Sequence, residues 1–93
     1  MLKGIVIAAS GTEQLQKTLT KEGLAWRVAE HREQADLLQA IDALKADRNE
    51  VLCLVERDRE EQMALDLGLF CVGYLNPELP QEQLSGCRIL IEG

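Results

Sequence analysis

The chain of 93 residues is long enough for one domain, and its 16 acidic and 10 basic residues give it a net charge of −6. Nucleic acids and anionic membranes bind basic surfaces, so we expect neither as a partner. Only three residues are aromatic, so the core must be aliphatic and there are too few rings for a base-stacking surface. No apolar run is long enough to span a bilayer and the N-terminus has no signal-peptide pattern, so we expect a cytoplasmic protein.

The cysteines each lie in an apolar, strand-like run, which predicts buried thiols in a reducing compartment rather than disulfides. None is at CxxC spacing and the chain has a single histidine, so no zinc site is expected. The residues concerned are Cys53, Cys71 and Cys87.

The first predicted element is a strand at residues 3–9, because a continuous apolar run is typical of a strand covered on both faces. A small-residue turn follows directly. Ser10 precedes Glu13 by three positions, the spacing of a capping box, so a helix is predicted to begin there. Gly23 is suited to the left-handed conformation that ends a helix.

Strands and helices then alternate to the end of the chain. Asp58 and Glu61 repeat the cap-plus-three spacing, and Gly68 is suited to end the helix that follows them. Pro80 is suited to the first turn of a short helix. Further strands are predicted at 24–29, 51–55, 69–73 and 88–91, and further helices at 33–46, 59–67 and 80–84.

This alternation predicts an α/β fold, a three-layer Rossmann-like sandwich with a five-stranded parallel sheet. The strand order 2-1-3-4-5 allows every crossover to be short. We expect residues 1–93 to form a single domain. No helix follows the last predicted strand. We therefore expect either that this strand lies at the edge of the sheet or that the chain is a fragment or N-terminal domain of a longer protein.

The segment 5–12 resembles the first motif of the haloacid dehalogenase (HAD) superfamily of phosphohydrolases, an apolar strand followed by Asp-x-Asp-Gly-Thr. Placing Gly11 and Thr12 on the Gly-Thr of that motif puts Ala8 at the position of the nucleophilic aspartate. Ser10 then takes the position of the second, general-acid aspartate.

The segment 51–60 is similar to a second family motif, an apolar strand followed by acids. There Glu56 takes the place of the metal-binding acid and Glu60 that of the next acid. Arg32, four residues before Asp36, stands where the family has its phosphate-clamping lysine.

The resemblance implies a HAD-like fold that has lost its catalytic residues. In the family an aspartate attacks phosphorus and Mg²⁺ is held by acids of the first and last motifs. Ala8 has no lone pair with which to form a phospho-enzyme, and Ser10 is no acid near neutral pH. Glu56 alone is a poor Mg²⁺ site, so we expect no catalytic residue and no cofactor, with residual Mg²⁺ binding as the alternative.

Two other families with similar folds lack their defining residues here. A phospho-receiver domain needs an acidic pair after the first strand, where this chain has Ala8, Ala9 and Ser10. A dinucleotide site needs G-x-G-x-x-G at the same place, and only Gly11 is present.

The candidate ligand-binding residues are all predicted at the carboxyl edge of the sheet, where α/β proteins usually bind ligands. Ser10 and Thr12 either cap the first helix or form a binding site for an anion. Glu56 and Glu60 are either solvated acids or a residual metal site. Arg32 either forms a surface salt bridge or binds a ligand. They are Ser10, Gly11, Thr12, Arg32, Glu56 and Glu60.

We therefore expect a non-catalytic HAD-like scaffold, interaction or regulatory domain whose partner is a protein or an adjoining domain. The chain also looks like the N-terminal region of certain bacterial GNAT-type acetyltransferases, in which case acetyl transfer would belong to the missing part. The alternatives are a phosphate- or anion-binding module and a phosphohydrolase-like enzyme with residual activity. Formation of a homo-oligomer is a further alternative, because the strand at either edge of the sheet could pair with another chain.

Overall fold

A computed structural model describes residues 2–92 as five strands and three α-helices that alternate through most of the chain. The strands are Gly4–Ala8 (β1), Trp26–Val28 (β2), Val51–Val55 (β3), Phe70–Leu75 (β4) and Ile89–Glu92 (β5). The helices are Glu13–Lys21 (α1), Gln34–Ala43 (α2) and Asp58–Asp66 (α3), with a 3₁₀ turn at Arg48–Glu50.

All five strands are parallel and lie in the order β2-β1-β3-β4-β5, which confirms the predicted Rossmann-like α/β topology. In the register of the sheet Ala8 lies beside Val55, and Val55 lies beside Gly73. The carboxyl ends of β1, β3 and β4 therefore lie side by side, and the loops that follow these strands come close together.

The two faces of the sheet are covered unequally. Helix α1 packs on one face through Leu15 and Leu19, against Ile7, Leu54 and Val72. Helices α2 and α3 cover the other face, where the larger part of the core lies. That core is aliphatic, as the sequence predicts, and its fully buried side chains include Val6, Leu37, Cys53 and Val55.

The glycine stops of the first and third helices are confirmed, and the predicted caps at their beginnings are wrong. Gly23 and Gly68 both have φ of +76°, the left-handed conformation that a glycine adopts without strain. Helix α1 begins after Thr12, not after Ser10, and Thr12 forms no side-chain cap hydrogen bond. Helix α3 contains Asp58 instead of being capped by it.

The helix predicted at 80–84 is absent, and the connection from β4 to β5 is irregular. Its backbone is held by acids of α3: Asp58 accepts hydrogen bonds from the N–H groups of Gln83 (3.3 Å) and Leu84 (2.7 Å). The carboxylate of Glu61 accepts from the N–H of Gly86 at 3.2 Å. These side chains supply the backbone partners that a helix would have supplied itself.

All three cysteines have free thiols, and the predicted burial is confirmed for two of them. Cys53 and Cys71 are buried neighbours in the register of β3 and β4, and Cys87 is half-buried. Burial raises the pKa of Cys71 to about 11 and that of Cys87 to about 12.

No helix within residues 2–92 has the length and apolar character needed to cross a membrane.

Candidate functional site

Three polar residues follow three adjacent strands at the carboxyl edge of the sheet. Ser10 comes shortly after β1, Glu56 directly after β3 and Asn76 directly after β4. Glu56 lies at the centre, since β3 is the middle strand, and it is only 1% exposed. The interpretation of Glu56 as a solvated acid is therefore wrong.

The carboxylate of Glu56 accepts hydrogen bonds from three surrounding residues. Ser10 donates its backbone N–H to Oε1 over 3.2 Å, and its hydroxyl lies 3.1 Å from Oε1 and 3.3 Å from Oε2. The guanidinium of Arg32 donates to Oε1, and the side-chain amide of Asn76 donates to Oε2 over 3.2 Å. Both carboxylate oxygens are thus fully engaged inside the protein.

The hydrogen bonds decide the ionisation of this carboxyl group. Burial by itself would raise the pKa of Glu56, but the hydrogen bonds from Asn76 and Arg32, the charge of Arg32 and the bond from Ser10 outweigh it. The pKa of Glu56 consequently lies below its ordinary value, and the group is ionised at neutral pH.

Arg32 makes this contact from an uncommon backbone conformation. It has φ of +55°, which is uncommon outside glycine, and its side chain is 24% exposed. Its guanidinium also lies 3.6 Å from Oε1 of Glu60. Of the two interpretations of Arg32, the ion pair is the arrangement seen, and it is directed to the interior instead of the surface.

Glu60 completes a cluster with Ser10, Arg32, Glu56 and Asn76, and it has the fewer hydrogen-bond partners of the two acids. It is 2% exposed, so it is not a solvated acid either, and its Oε2 atom has no hydrogen-bond partner among residues 2–92. Burial raises the pKa of Glu60 above its ordinary value, and only part of this effect is offset by its own backbone N–H, by Arg32 and by Arg57.

We expect Glu60→Gln to stabilise the protein relative to the wild type increasingly as the pH rises. The folded protein binds the Glu60 proton more tightly than the unfolded chain, so this group adds stability below its unfolded pKa and loses it as the pH rises through the folded pKa. Urea denaturation of both proteins from about pH 4 to about pH 8 measures the difference. Glu13→Gln, at an exposed position, is the control, and a pH-independent difference for Glu60→Gln would contradict the assignment.

Gly11 and Thr12 lie beside the cluster and make other contacts. The carbonyl oxygen of Gly11 accepts a hydrogen bond from the hydroxyl of Tyr74 at 3.1 Å. Thr12 is 3% exposed and accepts a hydrogen bond from the side-chain amide of Gln16 at 3.0 Å. The structure thus brings Ser10, Arg32, Glu56 and Glu60 together and leaves the Thr12 hydroxyl on the helix side.

An open cleft of about 360 Å³ lies beside this cluster, between the end of β4 and the irregular connection. Every charged residue that lines it is acidic: Glu56, Glu82 and Glu92. An acidic lining disfavours anionic ligands. No group of three or more Cys, His, Asp or Glu side chains within the described part of the chain is close enough to hold a metal ion.

Asn76 is the member of the cluster that sequence reasoning missed. In the sequence, Asn76 followed by Pro77 predicts only the opening of a loop. The available signal was its position directly after a predicted strand, the same position that singled out Glu56 after β3.

Comparisons of the chain with protein-family models, with curated proteins and with solved structures gave no match.

Proposed function

We propose that this domain is a non-catalytic HAD-like module that acts through contacts with a protein partner or an adjoining domain. One observation carries the proposal: the carboxylate of Glu56 occupies the centre of the carboxyl edge and is saturated by Ser10, Arg32 and Asn76. A ligand site at that edge needs polar groups that are free to bind the ligand.

The chemistry of the strand ends supports the same proposal. Ala8, at the end of β1, is completely buried and carries only a methyl group where the resembled family has its nucleophile. Ser10 keeps its hydroxyl on Glu56, and a hydroxyl is not an acid that protonates a leaving group near neutral pH. This edge therefore offers neither of the two groups on which phosphoryl transfer by an aspartate depends.

The anion-binding module is the second candidate, and the donors around Glu56 favour it. A backbone N–H, a hydroxyl, a guanidinium and an amide converge on one point, a set that would suit a phosphate or carboxylate. The same donors are already bound to a carboxylate of the chain, and the neighbouring cleft is acidic. For these reasons we rank it below the interaction module.

The expected result with a chromogenic phosphate ester and Mg²⁺ is no turnover by the wild-type domain. Calorimetric titration with phosphate, with nucleotides and with Mg²⁺ alone should give no heat of binding at millimolar ligand. Turnover that disappears in Glu56→Ala would overturn the non-catalytic assignment. Heat with phosphate that disappears in Arg32→Ala would establish the anion-binding module instead.

We propose that the adjoining domain is a GNAT-type acetyltransferase domain, because the chain resembles the N-terminal region of certain bacterial acetyltransferases of that type. Acetyl transfer would then be carried by that other domain, and this one would supply contacts. A pull-down of the separately expressed acetyltransferase domain by this one would support the arrangement, and no complex at high micromolar concentration of both would count against it.

A further inference from the structure

We propose that the outer edge of β5 (Ile89–Glu92) pairs antiparallel with the same strand of a second copy, about a two-fold axis at Leu90. This inference deepens the interaction role proposed above and rests on it. Strand β5 is the last strand of the sheet, and its outer side pairs with no strand among residues 2–92. Its outward N–H and C=O groups can accept another strand.

The apolar side chains of this strand are exposed on both faces of the sheet. Ile89 and Leu90 are consecutive, so they point to opposite faces, and each is 48% exposed. Ile91, on the same face as Ile89, is half-buried. A strand that pairs with β5 would cover apolar surface on both sides of the sheet at once.

The opposite edge of the sheet shows what a protected edge looks like in this protein. Strand β2 has only three residues, and its central residue, Arg27, is exposed. A short strand with a charge at its centre disfavours pairing with another chain. Strand β5 is longer and has Leu90 and Ile91 at its centre, so it lacks that protection.

The charges that flank β5 select a second copy as its partner. Arg88 and Glu92 are exposed, and neither takes part in an ion pair within the described ranges. In an antiparallel pair centred on Leu90, Arg88 of one copy lies opposite Glu92 of the other, and the symmetry repeats this pair.

The neighbouring registers lack this match. In an antiparallel pair, residues directly opposite each other lie on the same face of the sheet, so the two-fold axis must pass through a residue and not between two residues. The neighbouring registers are therefore centred on Ile89 and on Ile91. Centring on Ile89 puts Leu90 opposite Arg88, and centring on Ile91 puts Leu90 opposite Glu92. Only the register centred on Leu90 pairs opposite charges and sets Ile89 against Ile91.

Sedimentation equilibrium of the 93-residue chain is the test, with twice the monomer mass of 10.4 kDa expected as concentration rises. Arg88→Glu and Glu92→Arg, each alone, should weaken dimerisation by about tenfold, because like charges then face each other twice. The double variant, Arg88→Glu with Glu92→Arg, should recover wild-type dimerisation. A monomer at every concentration, or no recovery in the double variant, would overturn the inference.

A charge at the axis gives a second, stronger test. Leu90→Lys places two ammonium groups opposite each other and should leave a folded monomer, whereas Leu38→Lys, at a 39% exposed position on α2, should still dimerise. Circular dichroism shows whether each variant folds. If Leu90→Lys does not fold, the recovery of dimerisation in the double variant, Arg88→Glu with Glu92→Arg, tests the inference instead. Failure of dimerisation is distinct from failure of the proposed function, which shows as phosphate-ester turnover.

Discussion

Replacement of Glu56 by alanine is expected to lower the free energy of unfolding by about 3 kcal/mol, with a fall in Tm of more than about 10 °C. The change removes a buried carboxylate and leaves Arg32, Ser10 and Asn76 without their common acceptor. The lower end of the range for a broken buried ion pair applies, because Arg32 is 24% exposed and water can reach it.

Urea denaturation at neutral pH measures this loss, and Glu78→Ala, which removes an exposed acid two residues after Asn76, is the matched control. Acetate should restore part of the stability of Glu56→Ala and leave the wild type unchanged, since a free carboxylate can enter the vacated position. Equal losses in Glu56→Ala and Glu78→Ala would show that the cluster contributes nothing to folding.

Replacement of Leu84 by alanine is expected to cost about 2–5 kcal/mol, the usual range for a large-to-small change in a core. Leu84 is 2% exposed although it lies in the irregular connection, and it packs in the core on the face covered by α2 and α3. Its backbone has φ of +50°, which alanine would share, so the comparison isolates the side chain.

Thermal unfolding followed by calorimetry measures this change, with a shift in Tm of about 4–8 °C for each kcal/mol. Leu79→Ala, in the same connection but only half-buried, should cost less than about 1.5 kcal/mol. A cost for Leu84→Ala no larger than that of Leu79→Ala would mean that the connection folds independently of the core.

The positions of the strands could be predicted from the sequence because they depend on local patterns, and the order and direction of the strands follow from their alternation with helices and from short crossovers. The predicted strand 51–55 matches β3 at Val51–Val55 residue for residue, since both of its faces are covered and its apolar run is uninterrupted. The glycine stops at Gly23 and Gly68 were predictable for the same reason, because the left-handed conformation is a property of a single residue.

The candidate site was less predictable, because its contacts connect residues that are distant in the sequence. Ser10 and Asp58 both match the spacing of a capping box, yet Ser10 binds an acid 46 residues away and Asp58 binds backbone 25 and 26 residues away. Local and distant partners compete for one side chain, and composition cannot tell which of them wins. The helix predicted at 80–84 is absent for a related reason: the N–H groups of Gln83 and Leu84 donate to Asp58 instead of to carbonyl groups of their own segment.

The engaged carboxylate of Glu56 has a consequence for how the domain responds to its surroundings. A carboxylate attached to its own backbone competes with free anions at an effective concentration in the millimolar range or above. Small changes in the concentration of phosphate or metabolites would leave Ser10 and Arg32 where they are. In the proposed role, this edge of the domain presents one constant shape to its partner while the concentrations of free anions change.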